Sequence, residues 1–365
     1  MLGHSTLPHV LPRYSALCLV ATKMVPRHLI RFSPECLCMG MIPFVCPATN
    51  DLLCEEAHTL VSSHGKVYPI RNCIPRFVSD SNYAQAFGLE WTMHRQTQLD
   101  SATGTTISRE RLERCLGGQL RALAGRTVFE AGCGAGRFTE LLVGAGALVH
   151  AIDLTVAVEA NRKNVGERSN YVVAQADLSS PPFPKGVFDV VIGLGMIQHT
   201  PSPEKTIESL YALVKPGGLL VIDHYTRDLS YVTKLAPVYR CFLKRMSPER
   251  SKRITDKLVR LFFPLHWTVR KMRLAQMLLS RISPCLVYFR SFPQLSREQH
   301  YEWCQLDTYD HLTDYFKHFR TCGQIRAILA RLGAGQIETW RGGNGVEGRC
   351  RKPQAPSVSP LKNEV

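Results

Sequence analysis

No uninterrupted apolar run in the sequence approaches the ~18 residues that a membrane-spanning helix needs, so a soluble, cytoplasmic protein is expected. Acids are scarce relative to bases, 30 against 45, which leaves a formal charge of +15. That excess favours acidic partners without choosing among them. No ordered succession of basic and aromatic residues resembles a nucleic-acid module, and no nucleic-acid partner is expected. What the 13 cysteines lack is a pairing pattern: the count is odd and the spacings form no disulfide framework, so reduced thiols are expected. Residues 1–40 lack a sustained apolar period and hold a lone acid, Glu35, among Pro8, Pro12, Pro26 and Pro34. They are expected to be a disordered extension, the core Ala16-Leu17-Cys18-Leu19-Val20 being short for a targeting segment. A start at Met39 or Met41 would place the beginning of the chain where recognisable organisation begins.

The 365 residues suffice for one large domain with additions or for two domains, and a hydrophobic share of 45% is that of an ordinary globular protein. The most informative stretch is Thr127 to Glu140, TVFEAGCGAGRFTE. Thr127, Val128 and Phe129 read as the end of a buried strand that Glu130 closes, and helical spacing resumes after Arg137. Between them Gly132, Gly134 and Gly136 alternate with Cys133 and Ala135, as a sharp strand-to-helix turn approached closely by a ligand requires. A dinucleotide fingerprint would read G-x-G-x-x-G and seat a pyrophosphate. Here a carboxylate precedes the first glycine, which would repel a diphosphate and suits a ligand bearing an ammonium and a sulfonium.

The loop resembles motif I of the class I S-adenosylmethionine-dependent methyltransferases. The chain continues in step with that resemblance. Ala147 to Ile152 reads as a second strand ending at Asp153, about 20 residues past the loop, where an acid can accept both ribose hydroxyls of a nucleoside. Tyr171 to Leu178 supplies a third strand, and the resemblance implies that Asp177 bonds an adenine amino group while the backbone of Leu178 reads the ring. Val187 to Gly195 is a central fourth strand, and Val214-Lys215-Pro216-Gly217-Gly218 is a turn into a fifth strand, Leu219 to Tyr225, a second distinctive point of likeness. Thr321 to Leu332 has helical spacing, and Gln336–Trp340 with Gly345–Cys350 can close the sheet.

The fold expected is α/β: a doubly wound, seven-stranded Rossmann-like methyltransferase sheet, with an N-terminal ribbon remnant and a helical insertion after the fifth strand. The organisation expected is an extension over 1–40, the ribbon-like segment at 41–80, a helical cap at 81–125, the core at 126–225, the insertion at 226–319, the end of the core at 320–350, and a disordered tail at 351–365. The 41–80 segment resembles the zinc ribbon ahead of some bacterial methyltransferases, with Tyr68-Pro69-Ile70 and Ile74-Pro75 in place. Its ligand pattern is degenerate, retaining Cys46 and His64 where four N or S ligands are wanted, so no metal is expected. By the same analogy Trp91, Gln98 and Asp100, ahead of the first core strand, border the cofactor pocket.

S-adenosylmethionine is the cofactor implied, held by Glu130, Gly132, Cys133, Gly134, Gly136, Asp153, Leu154, Asp177, Leu178 and Gly193. His199 and His224 follow strands on the cofactor edge and are the candidate bases, since an unperturbed imidazole titrates near neutrality. Gln198, Tyr225 and Asp310 are candidate substrate contacts. The insertion crowds basic residues among large apolar ones, which suits a lid over substrate, a solvated basic face or a surface for anionic lipid. Transfer of a methyl group by in-line displacement to a small-molecule acceptor, anionic or lipid-linked, is the reading adopted. A silent cofactor-binding module and a dinucleotide enzyme are the alternatives.

Overall fold

The structure is a computed structural model describing residues 40–227 and 233–354. The extension expected over 1–40, Gly40 apart, and the tail beyond 354 lie outside the described residues.

Four short antiparallel strands open the chain in sequential order: β1 (Cys54–Glu56), β2 (Thr59–Val61), β3 (Val67–Arg71) and β4 (Ile74–Pro75). This ribbon does not stand alone. Phe44, Cys46, Leu53, Leu60 and Tyr68 are buried in the same apolar cluster as Phe129 and Phe188 of the main sheet and Phe183 of the connection before Phe188. Arg76 ties it down further, donating to Gln175 Oε1 at 3.0 Å and pairing with Glu159. The sulfur-bearing positions of the resembled ribbon point different ways. Cys46 Sγ lies 3.2 Å from the Tyr68 hydroxyl, His64 Nδ1 lies 2.7 Å from Asp51, and Cys73 is exposed.

Three helices follow, α1 (Gln85–Met93), α2 (Asp100–Thr103) and α3 (Ile107–Leu116), and then the core begins. Its parallel strands are β5 (Thr127–Ala131), β6 (Leu148–Asp153), β7 (Tyr171–Gln175), β8 (Phe188–Gly193) and β9 (Val214–Tyr225). Crossovers run through α4 (Thr139–Gly144), α5 (Ala157–Val165) and α6 (Pro203–Leu213). Side chains alternate between two apolar clusters, one on each face: Val128, Val149 and Val190 to one side, Phe129, Ile152 and Val191 to the other.

The Lys215-Pro216-Gly217-Gly218 segment, expected as a turn, is a bulge within β9. Phe188 pairs with Val214 and Val190 with Leu219, so six residues of one strand span three of the other. Only glycine fits at 218, because a Cβ there would sit 2.9 Å from the carbonyls of Asp189 and Lys215.

The insertion after β9 contains α7 (Ala236–Leu243), α8 (Pro248–Thr268), α9 (Arg273–Ile282) and α10 (Arg297–Thr313). It has a small core of its own around Val259, Phe263, Cys285 and Cys304. The chain then returns through α11 (Cys322–Arg331) to a hairpin of β10 (Gly335–Gly342) and β11 (Gly345–Arg351), with β11 antiparallel to β9. The complete sheet order is β10-β11-β9-β8-β5-β6-β7, seven strands. Arg351 and Lys352, expected in the disordered tail, instead continue the pairing. The Gly217 N–H donates to Lys352 O at 2.8 Å and the Lys352 N–H to Gly218 O at 3.0 Å, because the bulge turns its free backbone groups toward them.

Ion pairs to buried acids fasten α3 to the sheet's antiparallel side. Arg111 pairs with Asp223 of β9, and Arg114 with Glu347 of β11 at 2.7 Å. No helix among the described residues is long and apolar enough to cross a membrane.

Candidate functional site

Beyond the carboxyl ends of β5, β6 and β8 lies a cavity of about 1010 Å³, roofed by the insertion. Such sheets place ligands there because the strand order reverses and the helices diverge. The glycine loop forms its floor. Gly132 has φ +65°, and a Cβ on it would lie within 2.7 Å of the Met196 side chain. Gly134 has φ +49° and faces the Trp91 ring, 3.4 Å from where its Cβ would be. The loop is thus as thin as a polypeptide can be at the point of closest approach.

Asp153 closes β6 and is 9% exposed. Its Oδ2 accepts the Gly134 N–H at 2.9 Å, and its Oδ1 accepts the Thr155 N–H at 2.9 Å and hydroxyl at 2.7 Å. Burial pushes its carboxyl upward, and those donors pull the other way. An ionised carboxylate has about four acceptor sites, so with three filled about one is left for a ligand's hydroxyl. Glu130 closes β5, accepts from the Thr139 hydroxyl at 2.7 Å, and is pushed up to about 8 by burial. Asp177 and Leu178 line the same end, where burial first and the charges of Asp177 and Asp153 next raise Tyr83 to about 12.

At the loop's far side stands Arg137, half-buried. It donates to Gln98 Oε1 at 2.7 Å and to the Ser108 hydroxyl at 2.9 Å, and burial pushes its guanidinium down to about 9. Gln98 in turn donates to Asp307 of α10 at 3.1 Å. This cradle fits S-adenosylmethionine. Three acids and an arginine line it, charges that suit a ligand carrying a sulfonium, an ammonium and a carboxylate, and its two glycines stand where a Cβ would crowd Met196 and Trp91.

His199 also lines the cavity, in the turn after β8. Its ring is packed edge-on against Phe87 and Tyr225, 5.1 and 5.2 Å between centroids. Nδ1 lies 3.3 Å from Asp314 and Nε2 lies 3.9 Å from Asp310. Burial alone would lower this imidazole, but Asp310 and Asp314 outweigh it and hold the pKa above the usual value. Asp314 is itself fully buried, paired with Arg240 at 2.6 Å and Lys317 at 3.0 Å, and these cations hold it well below the ordinary carboxylate range. His199, Asp310 and Asp314 are the one group of three metal-capable side chains gathered among the described residues. Asp314 is already neutralised by two cations, which disfavours a metal ion there, and His199 Nδ1 also lies 3.3 Å from Phe316 O.

Several sequence candidates fall elsewhere. Among the described residues, Glu130, Gly132, Cys133, Gly134, Asp153, Leu154, Asp177, Leu178, His199, Tyr225 and Asp310 line the cavity together with Trp91 and Gln98. Gly136 does not; it packs beneath the loop against Asn161 and Val165. Gly193 is likewise inside the fold, against Leu210 and Ile197. Asp100 accepts from the Ser108 and Arg109 N–H groups at 2.9 and 2.8 Å, capping α3 instead of facing a ligand. Gln198 is fully buried away from the cavity, since the turn that aims His199 outward aims its neighbour in.

His224 is also displaced from its expected role. Successive strand side chains take opposite faces, so with Tyr225 on the cavity His224 is turned away, bonded to Tyr225 O at 2.8 Å and pushed down to about 4 by burial. Sequence reading passed over Arg111, Arg114, Arg137 and Tyr288, all on the cavity wall, and Asp314 behind His199. The one signal available was the run of acids at 307, 310 and 314, at helical spacing inside an otherwise basic insertion.

The family model described as "Methyltransferase domain" matches residues 129–222. A ubiquinone biosynthesis O-methyltransferase of Thiobacillus denitrificans is 33% identical over 129 residues, 32% of this chain and 55% of that protein. One from Pseudomonas paraeruginosa is 36% identical over 110 residues, 29% of this chain and 47% of that protein. The chain thus spans about half the length of the relatives it matches. Among solved structures, human N-acetylserotonin methyltransferase in complex with S-adenosylmethionine aligns with a TM-score of 0.43 at 13% identity, over 76% of this chain and 61% of that one. The loop that turns on Gly132 and Gly134, the acid that closes β6, and the matched family model lead to one conclusion: the chain carries a class I S-adenosylmethionine-dependent methyltransferase domain.

Proposed function

We propose that the protein methylates a hydroxyl group on a small aromatic acceptor, using S-adenosylmethionine. The observation that carries this reading is the placement of Asp153 and His199 on the wall of one cavity, the first beside the glycine loop and the second backed by two acids. In this reading Asp153 takes a ribose hydroxyl, Asp177 and the Leu178 backbone take the adenine, and Arg137 with Gln98 faces the carboxylate. When bound, the cofactor supplies a methyl group already activated on a positively charged sulfur.

His199 accepts the acceptor's hydroxyl proton on Nε2. Asp314 keeps Nδ1 protonated and the ring in place, and Asp310 stabilises the imidazolium that results. Tyr225, Tyr288, Phe292 and Trp303 give the acceptor flat apolar walls, while Lys205 suits an anionic substituent. The insertion excludes water from the reacting groups, which strengthens every charge interaction inside. The names of the relatives support oxygen as the atom methylated, and a lipid-linked acceptor is consistent with them.

The test is formation of S-adenosylhomocysteine by the purified protein with a panel of catechols and phenols, with and without isoprenoid tails, beside matched amines. Turnover of phenols that His199→Ala abolishes, with cofactor affinity retained, supports the proposal. Turnover of amines alone, indifferent to His199→Ala, would refute it.

A further inference from the structure

Fifteen large apolar side chains are exposed among the described residues, and ten of them fall between Leu235 and Ile282. On α9 they form a stripe. Leu274, Met277, Leu278 and Ile282 recur at helical spacing and are 46% to 65% exposed, and no residue of that helix is buried. Phe242 of α7, with Leu261 and Leu265 of α8, adds to the same insertion's uncovered apolar surface.

The charge of this segment is predominantly positive. Residues 234–282 contain thirteen Lys and Arg against two acids, Glu249 and Asp256, a net charge of +11 within a chain whose total is +15. A second cavity, about 430 Å³, opens at the foot of α9. Arg270, Lys271, Arg273 and Arg290 line it above Trp267 and Phe289, and the Arg270 guanidinium lies 4.2 Å from the Trp267 ring centroid.

We propose that this face docks on an anionic lipid bilayer, with α9 lying in the interface and the basin at its foot taking phosphate headgroups. An amphipathic helix with basic flanks and a Leu/Met/Ile stripe is the form that buries into the acyl boundary while its cations meet headgroups. A second copy of the chain is a poor occupant, because two faces this positive would repel. Residues 1–39 are no better, carrying Arg13, Lys23, Arg27 and Arg31 against Glu35. Nucleic acid would answer the charge but not the aliphatic stripe. The chain leaving α9 supplies Leu286, Tyr288 and Phe292 to the roof of the first cavity, so docking would set that roof against the membrane. The inference does not depend on which acceptor is methylated.

The experiment is co-sedimentation of the full chain, without cofactor, with vesicles of phosphatidylcholine alone and of phosphatidylcholine with phosphatidylglycerol. Binding should be at least about tenfold stronger to the anionic vesicles and should fall as salt is raised. Leu274→Glu with Leu278→Glu should reduce it by about tenfold or more, and so should Arg270→Glu with Arg273→Glu. The milder Leu274→Ser with Leu278→Ser should do the same in part, and cofactor affinity certifies that each variant is folded. Equal binding to both vesicle types, or wild-type binding by the Glu variants, would overturn the proposal. So would binding to duplex RNA, or a dimer lost in the Leu274 and Leu278 variants, with no vesicle association.

Discussion

The backbone N–H of Gly134 donates to the carboxylate of Asp153 at 2.9 Å, joining the thinnest point of the glycine loop to the acid that ends the next strand. Loop and acid are therefore one unit. Asp153→Ala should weaken S-adenosylmethionine binding by roughly 1–3 kcal/mol through lost hydrogen bonds to a buried ligand and a loosened loop. Gly134→Val should do so as well, since φ +49° strains a β-branched residue and its side chain would enter the space before Trp91. Calorimetric titration of both variants checks this, and unchanged affinity in both would remove the site assignment.

The rate should depend on pH in the direction set by His199. Its pKa is held above the usual 6.5, and a base works only when neutral, so kcat/KM should rise with pH through that raised value. Asp310→Asn removes a negative charge that favours the imidazolium, and the acidic limb should move to lower pH. His199→Ala should cost about 10²–10⁴ in kcat with little change in cofactor affinity. A pH–rate profile of the three proteins decides the matter.

Glu90 on α1 is 1% exposed, and burial, then the charges of Asp310 and Asp307, hold its carboxyl well above the ordinary range. A folded-state pKa raised over the unfolded one gives stability that is present below about 4.3 and is lost as pH climbs toward the folded value. Glu90→Gln, neutral at every pH, should therefore be the more stable protein near neutrality by roughly 1–3 kcal/mol. Urea titrations at acidic and neutral pH should find the gap widening upward.

Asp314 is the counter-charge for Lys317 and Arg240, both largely buried. Asp314→Ala would leave them facing each other without it, and should destabilise the fold by about 3–5 kcal/mol. A lowered thermal midpoint is the readout.

Much of the core could be read in the sequence because its signals are local. A glycine loop, an acid a fixed distance on, and β-rich runs between helical ones depend on neighbours in the chain. Asp153 ends β6, as spacing from the loop placed it, and Asp177, named from the resemblance, lines the same cavity. His224 could not be told from Tyr225 in this way. Both faces of a doubly wound sheet are covered, so hydrophobicity does not mark which parity of β9 meets the ligand. Arg137 follows the last glycine directly, yet its role needs Gln98 and Asp307, one from before the loop and one from α10. Asp314 acquires its meaning only when the insertion folds back onto the turn after β8, a long-range contact with no local signature. The ribbon was recognisable from Tyr68-Pro69-Ile70, but its merger with the main core was not.

That merger limits where the protein can be cut. A recombinant fragment begun at Asn82 would strip Phe44, Leu60 and Tyr68 from around Phe129 and Phe183, laying bare one side of the central strands. Small as it is, the ribbon is a cover plate for the catalytic sheet, and heat or urea should take the two apart in a single cooperative step.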